Sequence, residues 1–486
     1  MSSPSDQRFG HVWAPRLALV VVIAAYLVLP VLEARFIIKS SANIPISDTW
    51  YFVPVIANFT RTGHIPWGEI FSFYGAGRPV LERLGLLLDG KFFALNVQLV
   101  KLLSVPVGMI ETACAICAFR FALPRARLLV VLTAAYPVAL VIFCWDNWQN
   151  LLDEWNLMNL AAVALAFIAI LLIEQLRSGG NNSIRLLALA VVACAIASFT
   201  GESGTLSWIA CALILWLPLS RSRLREKLVF TAVSVVFLIV YFLGSSPAGS
   251  GHPLHHLGEV GEFALICLGN GIVGGGVKEL PLARSIGIVE VVVAGVLLGV
   301  WYFDRRLRDD RSVHVGVGLI AFGVMAAVAT GVSRLQIGID SALSSRYVVL
   351  TVPVVIGIYL IITRLVAVRM SDDRQAARRR RTAGWFALPC LLAVGLSVVA
   401  IGFDLKEAKV STSKRAYYVA LEHMTCDPSA FSYKDLSKFD HSGGLSKAEL
   451  EVLLDQMADL RQAKLSVFSG GLCEVYARAA ARAPSP

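Results

Sequence analysis

Asp48, in the run Ile46-Ser47-Asp48-Thr49-Trp50-Tyr51, and Arg346, in Ser344-Ser345-Arg346-Tyr347, are the residues whose types and settings best suit chemistry. Each stands beside a long apolar stretch, with aromatic neighbours of the kind that gather at a membrane–water boundary. A carboxylate there can take the proton of an attacking hydroxyl. A guanidinium there can hold a phosphate through two parallel hydrogen bonds. Together they suit transfer of a group from a lipid-borne phosphate, the lipid tail remaining in the bilayer. Each also has a structural alternative. Asp48 is placed to cap a helix starting near Trp50, and Arg346 to anchor a helix end by snorkelling.

Further polar residues fall in the same loops. Arg78 and Glu82 lie one helical turn apart, as a substrate contact or as an exposed ion pair. Asp146 sits in Trp145-Asp146-Asn147-Trp148, and Glu202 in the tight turn Thr200-Gly201-Glu202-Ser203-Gly204. With Trp50, Arg346 and Tyr347 they make up the candidate substrate-binding set, and Asp48 is the candidate base. Metal chemistry has weaker support. The run His252-Pro253-Leu254-His255-His256 lacks a defined ligand geometry, and the Cys114/Cys117 pair lies inside an apolar run with no second pair. No cofactor is expected, although a divalent cation is compatible with phosphate chemistry.

The elements that must hold these residues are membrane helices. Of 486 residues, 56% are hydrophobic and only 16% charged, and the mean hydropathy is +0.68. Soluble domains carry about 25% charged residues. The net charge of +10 does not point to nucleic acid, because the basic residues cluster between apolar runs instead of alternating with aromatics. Apolar stretches fall at 15–38, 95–121, 126–144, 157–176, 185–199, 202–219, 227–243, 285–303, 315–333, 347–364 and 385–403. Each approaches the roughly 20 residues that cross a bilayer.

Basic clusters at 120–127, 177–185, 220–227, 304–311 and 364–381 fall on alternate loops. The positive-inside rule makes that side cytoplasmic. The expected protein is therefore all-α and polytopic, with about eleven spans. Its N-terminus is cytoplasmic and its C-terminus periplasmic, in a bacterial inner membrane. The membrane domain covers 1–403, with a first outer loop at 39–94, and an extracytoplasmic, mainly helical tail covers 404–486. The apolar segment 262–276 is taken as re-entrant or interfacial, because a full span there would invert the 304–311 cluster. In the tail, Leu450, Leu453, Leu454, Met457 and Leu460 recur at helical spacing within Ser446–Lys464. Cys426 and Cys473 are the tail's two cysteines, either disulfide-bonded or free.

The order of these features resembles the GT-C superfamily of integral-membrane glycosyltransferases, in a poorly characterised bacterial branch. The shared features are Asp48-x-Trp50 after the first span, Arg78-Pro79, the Trp145-Asp146-Asn147-Trp148 loop, and Ser344-Ser345-Arg346-Tyr347 opening a Pro-containing helix. The resemblance implies a polyprenyl-phosphate-linked sugar donor, an envelope glycan or lipid acceptor, and transfer on the periplasmic side. In it Asp48 matches the first-loop acid and Arg346 the late Arg-Tyr. The family commonly pairs two acids in that loop, whereas this chain has Ser47-Asp48-Thr49, so a second carboxylate must come from Glu82, Asp146 or Glu202. Two other readings stand beside this one: a transporter or flippase of an envelope substrate, and a non-catalytic membrane subunit of an envelope-assembly complex.

Overall fold

The computed structural model describes residues 4–75, 77–179, 182–217, 224–244, 256–273, 279–372, 379–432, 447–469 and 472–476, without the side chains of 4–15, 371–388 and 447. His252, His255, Arg221, Arg223 and Ser446, and the side chains of Arg378, Arg379, Arg380 and Arg381, lie outside the described residues.

The described residues form helices and no strand. In chain order these are α1 (Pro4–Ser40), α2 (Thr49–Thr62), α3 (Trp67–Phe71), α4 (Val80–Phe93), α5 (Val97–Leu102), α6 (Ser104–Ala122), α7 (Leu128–Ile142), α8 (Trp148–Leu152) and α9 (Leu157–Arg177). There follow α10 (Ser183–Thr200), α11 (Leu206–Trp216), α12 (Leu224–Phe242), α13 (Leu257–Val273), α14 (Leu280–Phe303), α15 (Arg311–Arg334), α16 (Val348–Asp372), α17 (Arg379–Cys426) and α18 (Lys447–Ala463). Helix is the expected outcome for these runs, because hydrocarbon offers no partner to a backbone N–H or C=O.

Among the described residues nine helices are long and apolar enough to cross a membrane, so the protein is a polytopic helical membrane protein. Two further stretches counted in the sequence fall short. Glu202–Trp216 is apolar but short, and α12 opens on Arg225, Glu226 and Lys227.

The bundle has two chemically distinct ends. At one end Arg364 reaches Asp310 and the Ala122 carbonyl, Arg311 donates to Gln175, and Arg177 lies against His314. The basic ends of α6, α9 and α16 and the α14–α15 connection therefore meet there. At the other end the loop after α1 meets the α7–α9, α10–α11 and α15–α16 connections. The 21 residues of α9 alone separate the two ends by about 30 Å.

Helix α13, over the segment expected to be re-entrant, touches that second end twice. Val260 packs at Gly331, and Asn270 donates to the Ser344 carbonyl at 3.2 Å. Helix α17 continues without a break past residue 404, and Cys426 forms a disulfide with Cys473. The chain beyond α17 returns to α2 and the end of α4: the Ser466 amide donates to the Ala94 carbonyl at 2.7 Å, and Arg61 of α2 reaches Gln462 of α18.

Candidate functional site

A cavity of about 490 Å³ opens at the end of the bundle away from the basic loops. Its lining includes the apolar side chains of Leu206, Ile209, Leu238, Phe242, Ala329 and Leu350. It also includes the polar residues Asp48, Tyr74, Asn156, Asn159, Glu202, Arg334 and Arg346, with the aromatic Trp155 and Tyr347. Two acids and two arginines thus share one cavity with apolar side chains.

Asp48 stands at the start of α2, yet its side chain makes no capping hydrogen bond. The preceding Ser47 has a φ of 48°, a left-handed conformation that a residue with a side chain seldom adopts. That turn sets the direction of Asp48 as the chain enters the helix. The Tyr74 hydroxyl is within hydrogen-bonding reach of the Asp48 carboxylate. Burial, and then the negative charge of Asp48, holds the Tyr74 hydroxyl far above the usual phenol range, so it remains a donor. Tyr74 also packs edge-on against Trp155, with ring centroids 5.2 Å apart. The Tyr74–Gly77 turn lies close to the α10–α11 connection: a Cβ at Gly77 would come within 2.9 Å of the Glu202 nitrogen. Glycine at that position is what brings Glu202 and Asp48 to one cavity.

Arg346 is held from behind. Gln149 Oε1 accepts from the Arg346 amide at 3.1 Å, from the Ser345 hydroxyl at 3.1 Å and from the Ser344 hydroxyl at 2.6 Å. Asn150 donates to the Arg346 carbonyl at 3.0 Å. The guanidinium itself lies 5.0 Å from the Tyr347 ring centroid and forms no ion pair among the described residues. Arg334, at the end of α15, lines the same cavity and likewise forms no ion pair among the described residues. The Nε atoms of both arginines are buried without a hydrogen-bond partner among the described residues. A buried guanidinium nitrogen left without an acceptor is costly, and an anion in the cavity would relieve that cost.

The expected site residues therefore divide. Asp48, Glu202, Arg346 and Tyr347 converge on the cavity. Trp50 packs in the core of α2, 5% exposed, away from the lining. Arg78 is spent on structure: it donates to the carbonyls of Phe71, Tyr241 and Leu243 and stacks on Phe73. Glu82 forms no ion pair with it among the described residues. It is buried, and burial followed by the charges of Glu154 and Asp153 holds its carboxyl well above the usual range. Asp146 belongs to a different neighbourhood, near Lys406, Glu407, Lys414 and Asp404 of α17.

A second carboxylate near Asp48 comes from two directions. Glu202 shares the cavity. Asp153 stands behind it, accepting from the Trp155 amide at 3.1 Å and the Asn156 side chain at 3.0 Å. Burial, then Glu154 and then Asp48, raises Asp153 well above the usual carboxylate range.

Sequence reasoning did not assign roles to Arg334, Tyr74, Gln149, Lys101 or Glu154. Lys101 could have been found from its cost alone, as a lone lysine in an apolar run. Gln149 carried no signal. Among the described residues no group of three or more His, Cys, Asp or Glu side chains could hold a metal ion.

No protein-family model, curated protein or solved structure matches the chain. Fold and site by themselves define a polytopic helical membrane protein with an amphipathic cavity at one end of its bundle.

Proposed function

We propose that the protein is a membrane glycosyltransferase of GT-C type. It moves a sugar from a polyprenyl-phosphate donor to a cell-envelope glycan or lipid on the periplasmic face of a bacterial inner membrane. The observation that carries this reading is the convergence of Asp48, Arg334 and Arg346 on one cavity that apolar side chains also line. An isoprenoid phosphate, with an anionic head and a hydrocarbon tail, suits a lining that offers both cations and apolar side chains.

In this mechanism the acceptor hydroxyl loses its proton to Asp48 as its oxygen bonds to the anomeric carbon. The bond from that carbon to the phosphate oxygen breaks, and the polyprenyl phosphate leaves with the electron pair. Arg334 and Arg346 hold the developing phosphate charge in a site partly withdrawn from water. The Tyr74 hydroxyl orients the Asp48 carboxylate.

Two further features support the topology of this reading, with about eleven spans counting Glu202–Trp216 and α12. The basic loops lie at the end opposite the cavity, which fits cytoplasmic loops there and a periplasmic site. The Cys426–Cys473 disulfide belongs to an oxidising compartment. The cavity's place at one end of the bundle favours transfer over transport, since transporters hold substrate near the midplane.

The test is Asp48→Asn in the native host, with envelope glycans compared by mass spectrometry. The expected result matches the deletion strain, because losing a general base costs about 10²–10⁴-fold in rate. A wild-type glycan profile from Asp48→Asn, in a host where deletion alters that profile, would rule out Asp48 as the base.

A further inference from the structure

The stretch before Asp48 is unusual in what holds it. Residues 41–46 form neither helix nor strand, yet their backbone groups are bonded by side chains from distant parts of the chain. Lys101 Nζ donates to the Ala42 carbonyl at 3.3 Å, and Gln98 Nε2 to the Ser41 carbonyl at 3.3 Å. The Ile46 amide donates to Glu154 Oε1 at 2.8 Å. Asn43 is gripped on both sides by the C-terminal region. Its amide donates to Glu422 Oε1 at 3.0 Å, and its carbonyl accepts from the Ser466 hydroxyl at 2.9 Å.

Glu422 and Ser466 come from separate segments, the end of α17 and the turn after α18. The Cys426–Cys473 disulfide joins those segments, one turn of helix beyond Glu422 and seven residues beyond Ser466. Arg461 adds a bond to the Cys426 carbonyl at 2.6 Å. A third link runs from Tyr476 to Glu422 Oε2 at 3.4 Å. The disulfide thus fixes the spacing of two jaws that close on the backbone of one residue, Asn43, five residues before Asp48.

We infer that Glu422 and Ser466, stapled together by the Cys426–Cys473 disulfide, are positioning residues that aim Asp48 into the cavity by clamping Asn43. The tail is then a part of the site's scaffold. None of the three touches the cavity, so the clamp governs the geometry of Asp48 and leaves the Arg334 and Arg346 side untouched. The role in transfer rests on the proposed glycosyltransferase reading; the clamp itself does not.

The test uses the full chain in lipid nanodiscs and residue-resolved hydrogen exchange. Its readout is the amides of Ile46, Thr49 and Trp50, whose own acceptors Glu154, Ile46 and Ser47 stay in place. In the Glu422→Ala/Ser466→Ala variant, and in the Cys426→Ser/Cys473→Ser variant, these amides exchange about tenfold faster, the scale of one lost hydrogen bond. Glu422→Gln, which keeps an acceptor for Asn43, stays near wild type. Amides of α9 and α15 do not change, and decaprenyl phosphate binds with unaltered affinity.

Unchanged exchange at Ile46, Thr49 and Trp50 in both variants would overturn the clamp. So would an equal rise across α9 and α15, which would make the tail a general brace. If wild type fails to bind decaprenyl phosphate, the glycosyltransferase reading falls, while the exchange data still decide the clamp.

Discussion

Lys101 Nζ lies 3.3 Å from Glu154 Oε2, with both side chains fully buried. The other oxygen of Glu154 accepts from the Ile46 amide, and the same lysine nitrogen donates to the Ala42 carbonyl. A single ion pair thus joins the last turn of α5 and the turn that leads into α9 to the stretch that carries Asp48. Removing one member of such a pair strands a charge, at a cost of about 3–5 kcal/mol. Lys101→Met should therefore lower the unfolding temperature in detergent sharply. Lys101→Met/Glu154→Gln should recover most of the loss, because glutamine still accepts from Ile46. A double variant as unstable as the single one would show that the pairing is not what matters.

The cavity arginines and the structural arginine should separate cleanly. Arg334→Gln and Arg346→Gln are each expected to weaken binding of a polyprenyl phosphate by about 10–100-fold, the range of a charge-assisted hydrogen bond. Arg78→Gln should leave that binding intact and lower thermal stability, because its partners are the Phe71, Tyr241 and Leu243 carbonyls. Native mass spectrometry alongside thermal unfolding distinguishes the two effects. Loss of binding in Arg78→Gln at unchanged stability would contradict the assignment.

Close packing of α10 against the turn that carries Glu202 depends on Gly204. A Cβ there would sit 1.8 Å from the Ala197 carbonyl oxygen. Gly204→Ala should destabilise the protein by about 1–3 kcal/mol or more and displace Glu202. Gly85→Ala, on α4 with open space around it, should be neutral or slightly stabilising. Comparing the two unfolding temperatures checks this, and equal values would remove the packing argument.

Asp89, buried in α4 and next to Glu154, is pushed up to about 7, first by burial and then by that neighbour's charge. Its folded form therefore favours the neutral acid. As pH rises from about 4 through about 7, the unfolded chain releases this proton first and stability falls. Asp89→Asn escapes the loss. The variant should match wild type at pH 4 and exceed it at pH 8 by a few kcal/mol at most, on the order set by the shift. A stability gap that is the same at both pH values would mean Asp89 is not the titrating group.

Much of the fold was legible because a bilayer imposes a single solution on a long apolar run. The helices at 157–176, 285–303, 315–333 and 347–364 appear close to where hydropathy put them. So does the tail helix, read at Ser446–Lys464 and formed as Lys447–Ala463. The break at residue 404 was less legible. Composition changes there, but α17 continues, since a helix leaving the membrane can carry polar residues without interrupting its backbone bonds.

The sequence by itself determined which loops carry basic clusters and which carry acids, and it pointed to Asp48 and Arg346 through their aromatic and apolar surroundings. Only the tertiary structure decided which of the polar residues share a space. Arg78 and Glu82 sit near Asp48 in the chain and were diverted, one to carbonyls and one into the core, while Arg334 and Glu202 arrived from far along it. The reason is physical: hydropathy depends on local composition, whereas convergence depends on how helices about 30 Å long pack together. Single contacts then fix the outcome, such as Gly77 against Glu202 or Gln149 behind Arg346.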